Sequence, residues 1–256
     1  MDSVKTTLTS ILALKDNYIW FISNNKGQCL IVDPSDAELV LDVMIQKNWK
    51  LLAVLLTHHH LDHVAGVPLL LQRYPDLVVF GPQETRCYGS NRLVQNGDNI
   101  NVLDLNFTVF YTPGHTLGHV TYYCHPYLFC GDTLFSAGCG RIFEGTVQQM
   151  FTSLRTLNKL PGDTLVCSAH EYTLFNLAFA HHMYPYDTEI IKYYRVVQEL
   201  RAQNQLTLPT RLDYERKVNI FLRTNNIGLQ GVAGRDKIPL TEEQIFALLR
   251  AKKDLF

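Results

Sequence analysis

Short apolar runs separated by turn residues dominate the first part of the chain. Runs of this length are typical of β-strands. We predict strands at 18–23, 29–32, 51–56, 77–80, 107–111, 120–124, 127–130 and 164–167. Between some of them, apolar residues recur at helical spacing over 37–46, 63–73 and 147–158. Because strands and helices are interleaved, the pattern predicts an α/β fold.

From residue 171 onward the pattern changes to helix-length apolar spacing, over 172–183, 188–202 and 242–253. The last of these helices has a clear start signal, since Thr241 can cap it and Gln244 follows three residues later. No repeat or low-complexity linker separates the two parts of the chain. We therefore predict an α/β domain at 1–168 and an all-helical C-terminal domain at 169–256.

Charge and composition restrict the classes of function. In 256 residues, 23 Lys and Arg nearly balance 24 Asp and Glu, which gives a formal charge of −1. This balance offers no broad attraction to nucleic acid or to anionic lipid, so we expect neither as a partner. The apolar stretch 11–14 is too short for a signal peptide or a membrane span, which predicts a cytoplasmic protein. The six cysteines form no CxxC pair, and we expect them to be buried thiols.

A cluster of potential metal ligands follows the predicted strand 51–56 directly, in the order His58, His59, His60, Asp62, His63. In an extended turn, His58 and His60 point the same way and His59 points away, so two imidazoles can meet one metal ion. Asp62 and His63 lie at the entrance of the next helix and can serve a second ion. Clusters of histidine and aspartate of this kind bind metal ions more often than they serve a purely structural role.

Three further candidates lie in turns after strand-like runs: His115, Asp132 and His170. Taken singly, each is more often a turn or capping residue than a ligand. Together with the cluster, they supply the ligands that two metal ions would otherwise lack. Imidazole and carboxylate without thiolate suit zinc, iron(II) or manganese. Two such ions can share a hydroxide and stabilise an oxyanion, which favours hydrolysis.

The HxHxDH pattern of 58–63 with the three later ligands resembles the metallo-β-lactamase superfamily. Closer motifs resemble the hydroxyacylglutathione hydrolase family, also called glyoxalase II, over nearly the whole chain. These motifs are Asp16-Asn17-Tyr18, Thr112-Pro113-Gly114-His115-Thr116, Cys130-Gly131-Asp132-Thr133-Leu134-Phe135, Gly138-Cys139-Gly140-Arg141, Ala169-His170-Glu171-Tyr172-Thr173 and the ending 250–256. The resemblance implies an αββα sandwich with the metal ions at one edge and a helical substrate-binding domain after it.

The resemblance also assigns roles to individual residues. It implies a first metal held by His58, His60 and His115, a second held by Asp62, His63 and His170, and a bridging Asp132. Asp132 and Asp62 are the carboxylates that we expect to take part in catalysis. For the substrate it implies Arg141, Phe143, Tyr172 and Arg223, where Phe143 replaces a tyrosine of some members. Asn225 and Asn226 stand where some members have a second basic residue, which would weaken or rearrange carboxylate binding.

The activity that the resemblance implies is hydrolysis of S-2-hydroxyacylglutathione, typically S-D-lactoylglutathione, to glutathione and a 2-hydroxy acid. In this reaction, the second step of methylglyoxal detoxification, a hydroxide bridging two divalent metal ions attacks the thioester carbonyl. We expect each chain to bind two metal ions, with zinc favoured over iron or manganese. We also expect the protein to be a monomer. The leaving thiolate has a pKa near 8.5, so no strong general acid is needed.

Other functions remain open at this point. A lactonase or a β-lactamase of the same superfamily would carry the same ligands, because the metal site says little about the acyl group. A nuclease is less favoured because the chain has no basic surplus. A metal-dependent binding or sensor protein that has lost the chemistry is the alternative from another class.

Overall fold

The computed structural model describes residues 5–225 and 240–256. The chain divides into two compact units, Met1–Tyr111 with Gly118–Gly131, and Thr112–Leu117 with Asp132–Phe256. The second unit thus includes a short segment, Thr112–Leu117, that lies along the chain between two parts of the first unit. The predicted domain boundary after residue 168 stays a prediction.

The first unit contains two groups of hydrogen-bonded strands and the helices between them. Its first sheet has the order β1 Thr6–Ala13, β2 Asn17–Asn24, β3 Gln28–Val32, β4 Lys50–Leu55, β5 Val78–Gly81 and β6 Arg92–Leu93. The first three strands are antiparallel and the pairs from β3 to β6 are parallel. An antiparallel meander follows, with β7 Asn99–Val102, β8 Leu105–Tyr111, β9 Val120–Cys124 and β10 Tyr127–Gly131. Its helical segments are α1 Ala37–Lys47, α2 Leu61–Val64, α3 Val67–Arg73 and a 3-10 helix at Gln83–Tyr88.

The first sheet is buried on both faces, which explains why its central strands are almost continuously apolar. Every residue of β2 is buried. On one face, Val40 of α1 and Leu70 of α3 pack against Ile31 in a single apolar cluster. On the other face, the ring of Trp20 lies 6.4 Å from that of Phe129 in β10. The parallel strands therefore end over a well-packed core.

The second unit is mainly helical. Its elements are β11 Leu134–Phe135, β12 Gly138–Cys139, α4 Val147–Leu157, β13 Leu165–Ser168, α5 Thr173–Met183, α6 Thr188–Ala202, β14 Thr210–Arg211, α7 Leu212–Val218 and α8 Glu242–Asp254. Strand β14 pairs antiparallel with β13, and β11 pairs with β12 in a short hairpin. Within the described residues after 168, the regular elements are therefore helices apart from the two residues of β14.

The predicted strands all form, and the predicted helices all form with one correction. The helix expected at 63–73 is broken into α2 and α3 at Gly66, whose N–H donates to the Pro34 carbonyl at 2.9 Å. A side chain here would be too close, since a Cβ on Gly66 would lie 2.4 Å from that carbonyl oxygen. The expectation for the cysteines holds except at Cys87, which is exposed; all six are free thiols.

No helix within the described ranges 5–225 and 240–256 has both the length and the apolar character needed to span a membrane.

The cap predicted for the last helix is present and can be tested. The Thr241 hydroxyl accepts from the Gln244 N–H at 3.2 Å, and the Gln244 side chain accepts from the Thr241 N–H at 2.9 Å. We expect Thr241→Ala to lower the free energy of unfolding by about 1 kcal/mol, a fall in Tm of about 2–4 °C in a thermal melt followed by circular dichroism. Thr241→Ser keeps the hydroxyl and should melt near the wild type. A Ser variant as unstable as the Ala variant would assign the effect to the methyl group instead.

Candidate metal centre and substrate pocket

The end of β4 delivers the first pair of predicted ligands. Residues 56–60 leave the strand in an extended course, and α2 begins at Leu61. The Nε2 atom of His58 lies 3.1 Å from the Nδ1 atom of His60. Two nitrogens bound to one tetrahedral ion at 2.0–2.1 Å would be about 3.3 Å apart. The two imidazoles therefore converge at the separation that a shared metal ion requires, as the alternation of the extended segment predicts.

The Asp33 carboxylate holds this segment from the end of β3. Its Oδ1 accepts from the Thr57 backbone N–H at 2.8 Å, and its Oδ2 accepts from the Thr57 hydroxyl at 2.7 Å. The same Oδ2 lies 3.0 Å from Nδ1 of His63. Asp33 is buried and adopts a left-handed φ of 49°, which aspartate tolerates better than most residues. One carboxylate thus fixes both the strand end and a predicted ligand.

These contacts determine which nitrogen of each histidine is available to a metal. A carboxylate oxygen only accepts, so Nδ1 of His63 carries a proton and Nε2 presents its lone pair. The Thr57 hydroxyl donates its proton to Asp33, so it accepts from Nδ1 of His58 at 3.0 Å. His58 therefore also directs an unprotonated Nε2 away from Asp33. This carboxylate–histidine arrangement is typical of metal ligands in proteins.

Asp62 is positioned by Asn17, the first residue of β2. The Nδ2 of Asn17 donates to the backbone carbonyl of Asp62 and to its Oδ2, both at 3.0 Å. That Oδ2 lies 3.5 Å from Nε2 of His63, again a separation suited to two ligands of one ion. Asn17 is buried and belongs to a motif that the sequence singled out without a role. It is a positioning residue for Asp62.

The backbone just before Asp132 passes unusually close to this group. Gly131 has a φ of 46°, and a Cβ there would lie 2.5 Å from the Thr57 hydroxyl and 2.6 Å from Nε2 of His119. Only glycine fits, because both the backbone angle and the space exclude a side chain. His119 is fully buried, and its ring stacks on that of His58 with centroids 4.9 Å apart. His119 thus packs beside a predicted ligand, a position that the sequence alone does not reveal.

The second unit brings the other three predicted ligands together. Asp132 lies between two imidazoles, with Oδ2 3.2 Å from Nε2 of His115 and Oδ1 3.4 Å from Nε2 of His170. Nδ1 of His115 donates to the Arg141 carbonyl at 2.8 Å, which leaves Nε2 as the nitrogen that can bind a metal ion. All three ligands are buried. An aspartate with one oxygen toward each of two imidazoles suits a bridging role.

The donor chemistry of both groups fits divalent metal ions. Each group combines imidazole nitrogens with a carboxylate, and none of its members is a thiolate, which favours zinc, iron(II) or manganese over a sulfur-rich structural site. Partners in the protein fix the outer nitrogen of His58, His63 and His115. Such fixed outer partners raise ligand basicity and hold ring orientation.

A pocket of about 290 Å³ opens in the second unit near His170. It is lined by Phe135, Cys139, Arg141, Tyr172, Phe175, Asn176, Arg250 and Lys253. Tyr172 stacks on the ring of His170, with centroids 4.7 Å apart and planes 4° from parallel. The pocket lining therefore includes an aromatic ring that stacks on a predicted metal ligand and two buried cations.

The two buried cations, Arg250 and Lys253, lie one turn apart on α8. Arg250 donates to the Cys139 carbonyl at 3.0 Å and pairs with Asp254 at 2.9 Å. Lys253 donates to the Asn176 side-chain oxygen, and burial lowers its pKa from 10.5 to about 7. Because the free energy of a buried ammonium is high, an anion that enters the pocket would be bound strongly by this lysine.

The other predicted substrate residues have varied surroundings. Arg141 is mostly exposed, with its guanidinium 5.6 Å from the centre of the Phe143 ring. The Phe143 ring in turn contacts His115 at 5.2 Å. Arg223 does not line the pocket; it pairs with Asp187 at 2.7 Å and donates to the Lys217 carbonyl at 2.6 Å. Asn225 is exposed, and Asn226 lies outside the described residues.

The sequence carries a signal for the two cations that is separate from the family motifs. The buried face of α8 includes Ile245, Phe246 and Leu249 at helical spacing. Arg250 and Lys253 continue that apolar stripe, four residues after Phe246 and Leu249 respectively. A cation in the apolar stripe of a helix must be buried, and a buried cation needs a partner or a ligand. The helical spacing of 242–253 could therefore have identified both residues.

Comparison with known proteins gives the same picture over the whole chain. The metallo-β-lactamase superfamily model matches residues 14–170, and the model for the hydroxyacylglutathione hydrolase C-terminus matches residues 171–256. A hydroxyacylglutathione hydrolase of Erwinia tasmaniensis is 60% identical over 249 residues, which cover 97% of this chain and 99% of that protein.

Solved structures show the same fold. The crystal structure of ETHE1 from Myxococcus xanthus has a TM-score of 0.66 at 25% identity, covering 95% of this chain and 89% of that one. TTHA1623, crystallised in a di-iron-bound form, has a TM-score of 0.53 at 28% identity, covering 64% of this chain and 91% of that one. The predicted metallo-β-lactamase fold with a C-terminal helical region is confirmed.

The role of Asp33 can be tested through metal affinity. In Asp33→Asn, one carboxylate oxygen is replaced by an amide NH2 group, which can only donate. This group must face either the Thr57 N–H, or the Thr57 hydroxyl and the His63 Nδ1–H, so that two donors face each other and the contact becomes repulsive. We expect metal affinity to fall about 10–100-fold, measured by competition with a chromophoric chelator and by metal analysis after dialysis. Asp36→Asn is the matched control, because asparagine also caps α1 well. Unchanged affinity in Asp33→Asn would contradict the assigned role.

Proposed function

This chain belongs to the hydroxyacylglutathione hydrolase family of the metallo-β-lactamase superfamily, and from that premise we propose that it hydrolyses S-2-hydroxyacylglutathione thioesters to glutathione and a 2-hydroxy acid. S-D-lactoylglutathione is the substrate we expect, which would make the reaction the second step of methylglyoxal detoxification. The observation that carries the proposal is the pocket in the C-terminal region, whose lining includes two buried cations and Tyr172, the ring that stacks on the predicted ligand His170.

We further propose that the predicted ligands form one dinuclear centre. His58, His60 and His115 would hold one ion, Asp62, His63 and His170 the other, and Asp132 would contact both. Two divalent ions together supply a hydroxide nucleophile at neutral pH and stabilise a developing oxyanion. Zinc is the metal we expect first, while the di-iron form of TTHA1623 keeps iron as an alternative.

The residues around the centre have separate tasks in this proposal. Asp33 and Asn17 keep His58, His63 and Asp62 in fixed orientations. Asp62 and Asp132 carry the negative charge that offsets the ions. No side chain is required as a strong acid at the sulfur, because a thiol of pKa near 8.5 leaves readily as thiolate.

The pocket would receive the glutathione part of the substrate. Glutathione carries carboxylates, and a guanidinium or ammonium binds a carboxylate through charge-assisted hydrogen bonds. Arg250 and Lys253 are the cations that the pocket presents at depth, and the exposed Arg141 stands at its rim. Tyr172 and Phe135 offer apolar surface between these cations and His170. Arg223 is already paired with Asp187, so we propose for it an indirect contribution through the stability of the helical region.

The activity is tested by hydrolysis of S-D-lactoylglutathione, followed through released thiol. We expect the wild-type protein to turn over this thioester and to hold about two metal ions per chain. Asp132→Ala should lose metal and lower kcat/KM by about a thousandfold or more, because both imidazoles beside it lose a shared partner. Glu189→Gln, which alters an exposed ion pair on α6, is the control that should keep full activity.

Two outcomes would contradict this proposal. Faster turnover of a lactone or a β-lactam than of the thioester would assign the chain to another activity of the superfamily. Tight thioester binding without turnover in a metal-loaded protein would favour the sensor alternative. Chain mass by light scattering tests the expected monomer in the same preparation.

The pocket assignment predicts a pH dependence of KM. Lys253 loses its proton as the pH rises through about 7, and a substrate carboxylate binds only the charged form. We expect the wild-type KM to rise above pH 7, by up to about tenfold per pH unit, until the complex itself loses the proton. Lys253→Met should have a raised KM at pH 6 and a flat profile above it.

A substrate without carboxylates provides the control for this prediction. The lactoyl thioester of N-acetylcysteamine has the same scissile bond but offers nothing for the cations to bind. Wild type and Lys253→Met should hydrolyse it equally, with no rise of KM above pH 7. A wild-type KM that rises equally for both thioesters would exclude Lys253 as the cause.

A further inference from the structure

The hairpin of β11 and β12 forms one wall of the pocket. It begins two residues after Asp132, and it contributes Phe135 and Cys139 to the pocket lining. The two-residue turn between its strands is Ser136-Ala137, which is buried. Whatever fixes this turn therefore fixes the pocket wall and the chain that leads away from Asp132.

A single buried carboxylate, Glu215 of α7, holds the turn. Its Oε1 accepts from the Ser136 hydroxyl and its Oε2 accepts from the Ala137 backbone N–H, both at 2.7 Å. The Thr210 hydroxyl of β14 also donates to Oε1 at 2.7 Å. Glu215 is fully buried, and lengths of this kind are typical of charge-assisted hydrogen bonds.

Asn219, the residue that follows α7, holds the same hairpin from both sides. Its Nδ2 donates to the carbonyls of Phe135 at 3.1 Å and Gly138 at 2.9 Å. Between these carbonyls, Ala137 adopts a left-handed φ of 55°. A non-glycine residue persists in this conformation only where its surroundings determine it strongly. Glu215 and Asn219 supply that determination through hydrogen bonds on both sides of Ala137.

The position of Glu215 is costly for the fold. Burial raises the pKa of its carboxyl, and the donors that the structure gives it are neutral groups. A glutamate in α7 could stabilise the helix equally well from the surface, so helix stability does not account for it. Apart from Thr210 of β14, the groups that its carboxylate holds are Ser136 and Ala137 of the hairpin turn.

We propose that Glu215 is a positioning residue for substrate binding, which acts through Ser136 and Ala137 to place Phe135 and Cys139 in the pocket wall. The inference rests on the proposed function, in which this pocket receives the glutathione part of the substrate. It assigns Glu215 no contact with substrate or metal.

The test compares three substitutions that each alter a 2.7 Å hydrogen bond of this carboxylate. Ser136→Ala and Glu215→Gln change the contacts to the turn, whereas Thr210→Val changes only the contact to β14. Affinity is measured by calorimetry with S-hexylglutathione, a thioether that cannot be hydrolysed, and kcat and KM with S-D-lactoylglutathione. Melting temperature and metal content are recorded for every variant.

We expect Ser136→Ala and Glu215→Gln to raise Kd and KM about tenfold, the effect of roughly one misplaced hydrogen bond, with kcat and metal content nearly unchanged. Thr210→Val should lose a similar amount of Tm but keep the wild-type Kd. If Glu215→Gln does not fold, Ser136→Ala, which removes one oxygen atom, decides the question.

The inference is overturned if the two turn-side variants lose only Tm and bind the thioether as tightly as Thr210→Val does. A wild-type protein that neither binds the thioether nor hydrolyses the thioester would instead refute the proposed function, and the inference with it. The two failures are therefore distinguishable in one set of measurements.

Discussion

The hydrogen bonds of the Asp33 carboxylate are the constraint on which the first group of ligands depends. They join the end of β3 to the end of β4 through the backbone and hydroxyl of Thr57, and they set the tautomers of His58 and His63. A metal ligand must present a lone pair in a fixed direction, and an isolated imidazole has no such preference. Two parallel strands of a buried sheet fix this direction, because the core packed against the sheet holds their ends in register.

The helical region buries two cations, and a buried cation lowers the stability of the fold unless it has hydrogen-bond partners. Helix α8 carries Arg250 and Lys253 on its buried face, and carbonyls, the Asn176 oxygen and Asp254 satisfy part of their hydrogen-bonding capacity. The Phe221 ring also lies close to both cations, with its centre 5.5 Å from the Arg250 guanidinium carbon and 5.8 Å from the Lys253 ammonium nitrogen. A bound anion would stabilise a pocket built in this way, which is the physical basis of the proposal that it receives the glutathione part of the substrate.

The sequence predicts most of the fold because apolar runs and helical spacing are local signals. It misses β1, whose first five residues include four of Thr and Ser and only one apolar residue. It also misses the break at Gly66, which depends on the distant Pro34 carbonyl. Motif resemblance predicts the metal ligands, and the structure adds the residues that contact them, such as Asn17 and His119. The substrate role of Arg223 stays a prediction, and the structure adds that this side chain is paired with Asp187. No sequence pattern predicts the role of Glu215, because its partners in the hairpin turn, Ala137 and Ser136, lie 78 and 79 residues earlier in the chain.

The central claim is that one dinuclear centre is held by histidines whose outer nitrogens are fixed by the protein. Anomalous diffraction from crystals of the metal-loaded chain tests it most directly. We predict two metal peaks per chain, one bound by His58, His60 and His115 and one by Asp62, His63 and His170, with Asp132 in contact with both. His58, His63 and His115 should bind through Nε2. A single peak, or a metal bound through Nδ1 of His63 with the Asp33 contact broken, would contradict the claim.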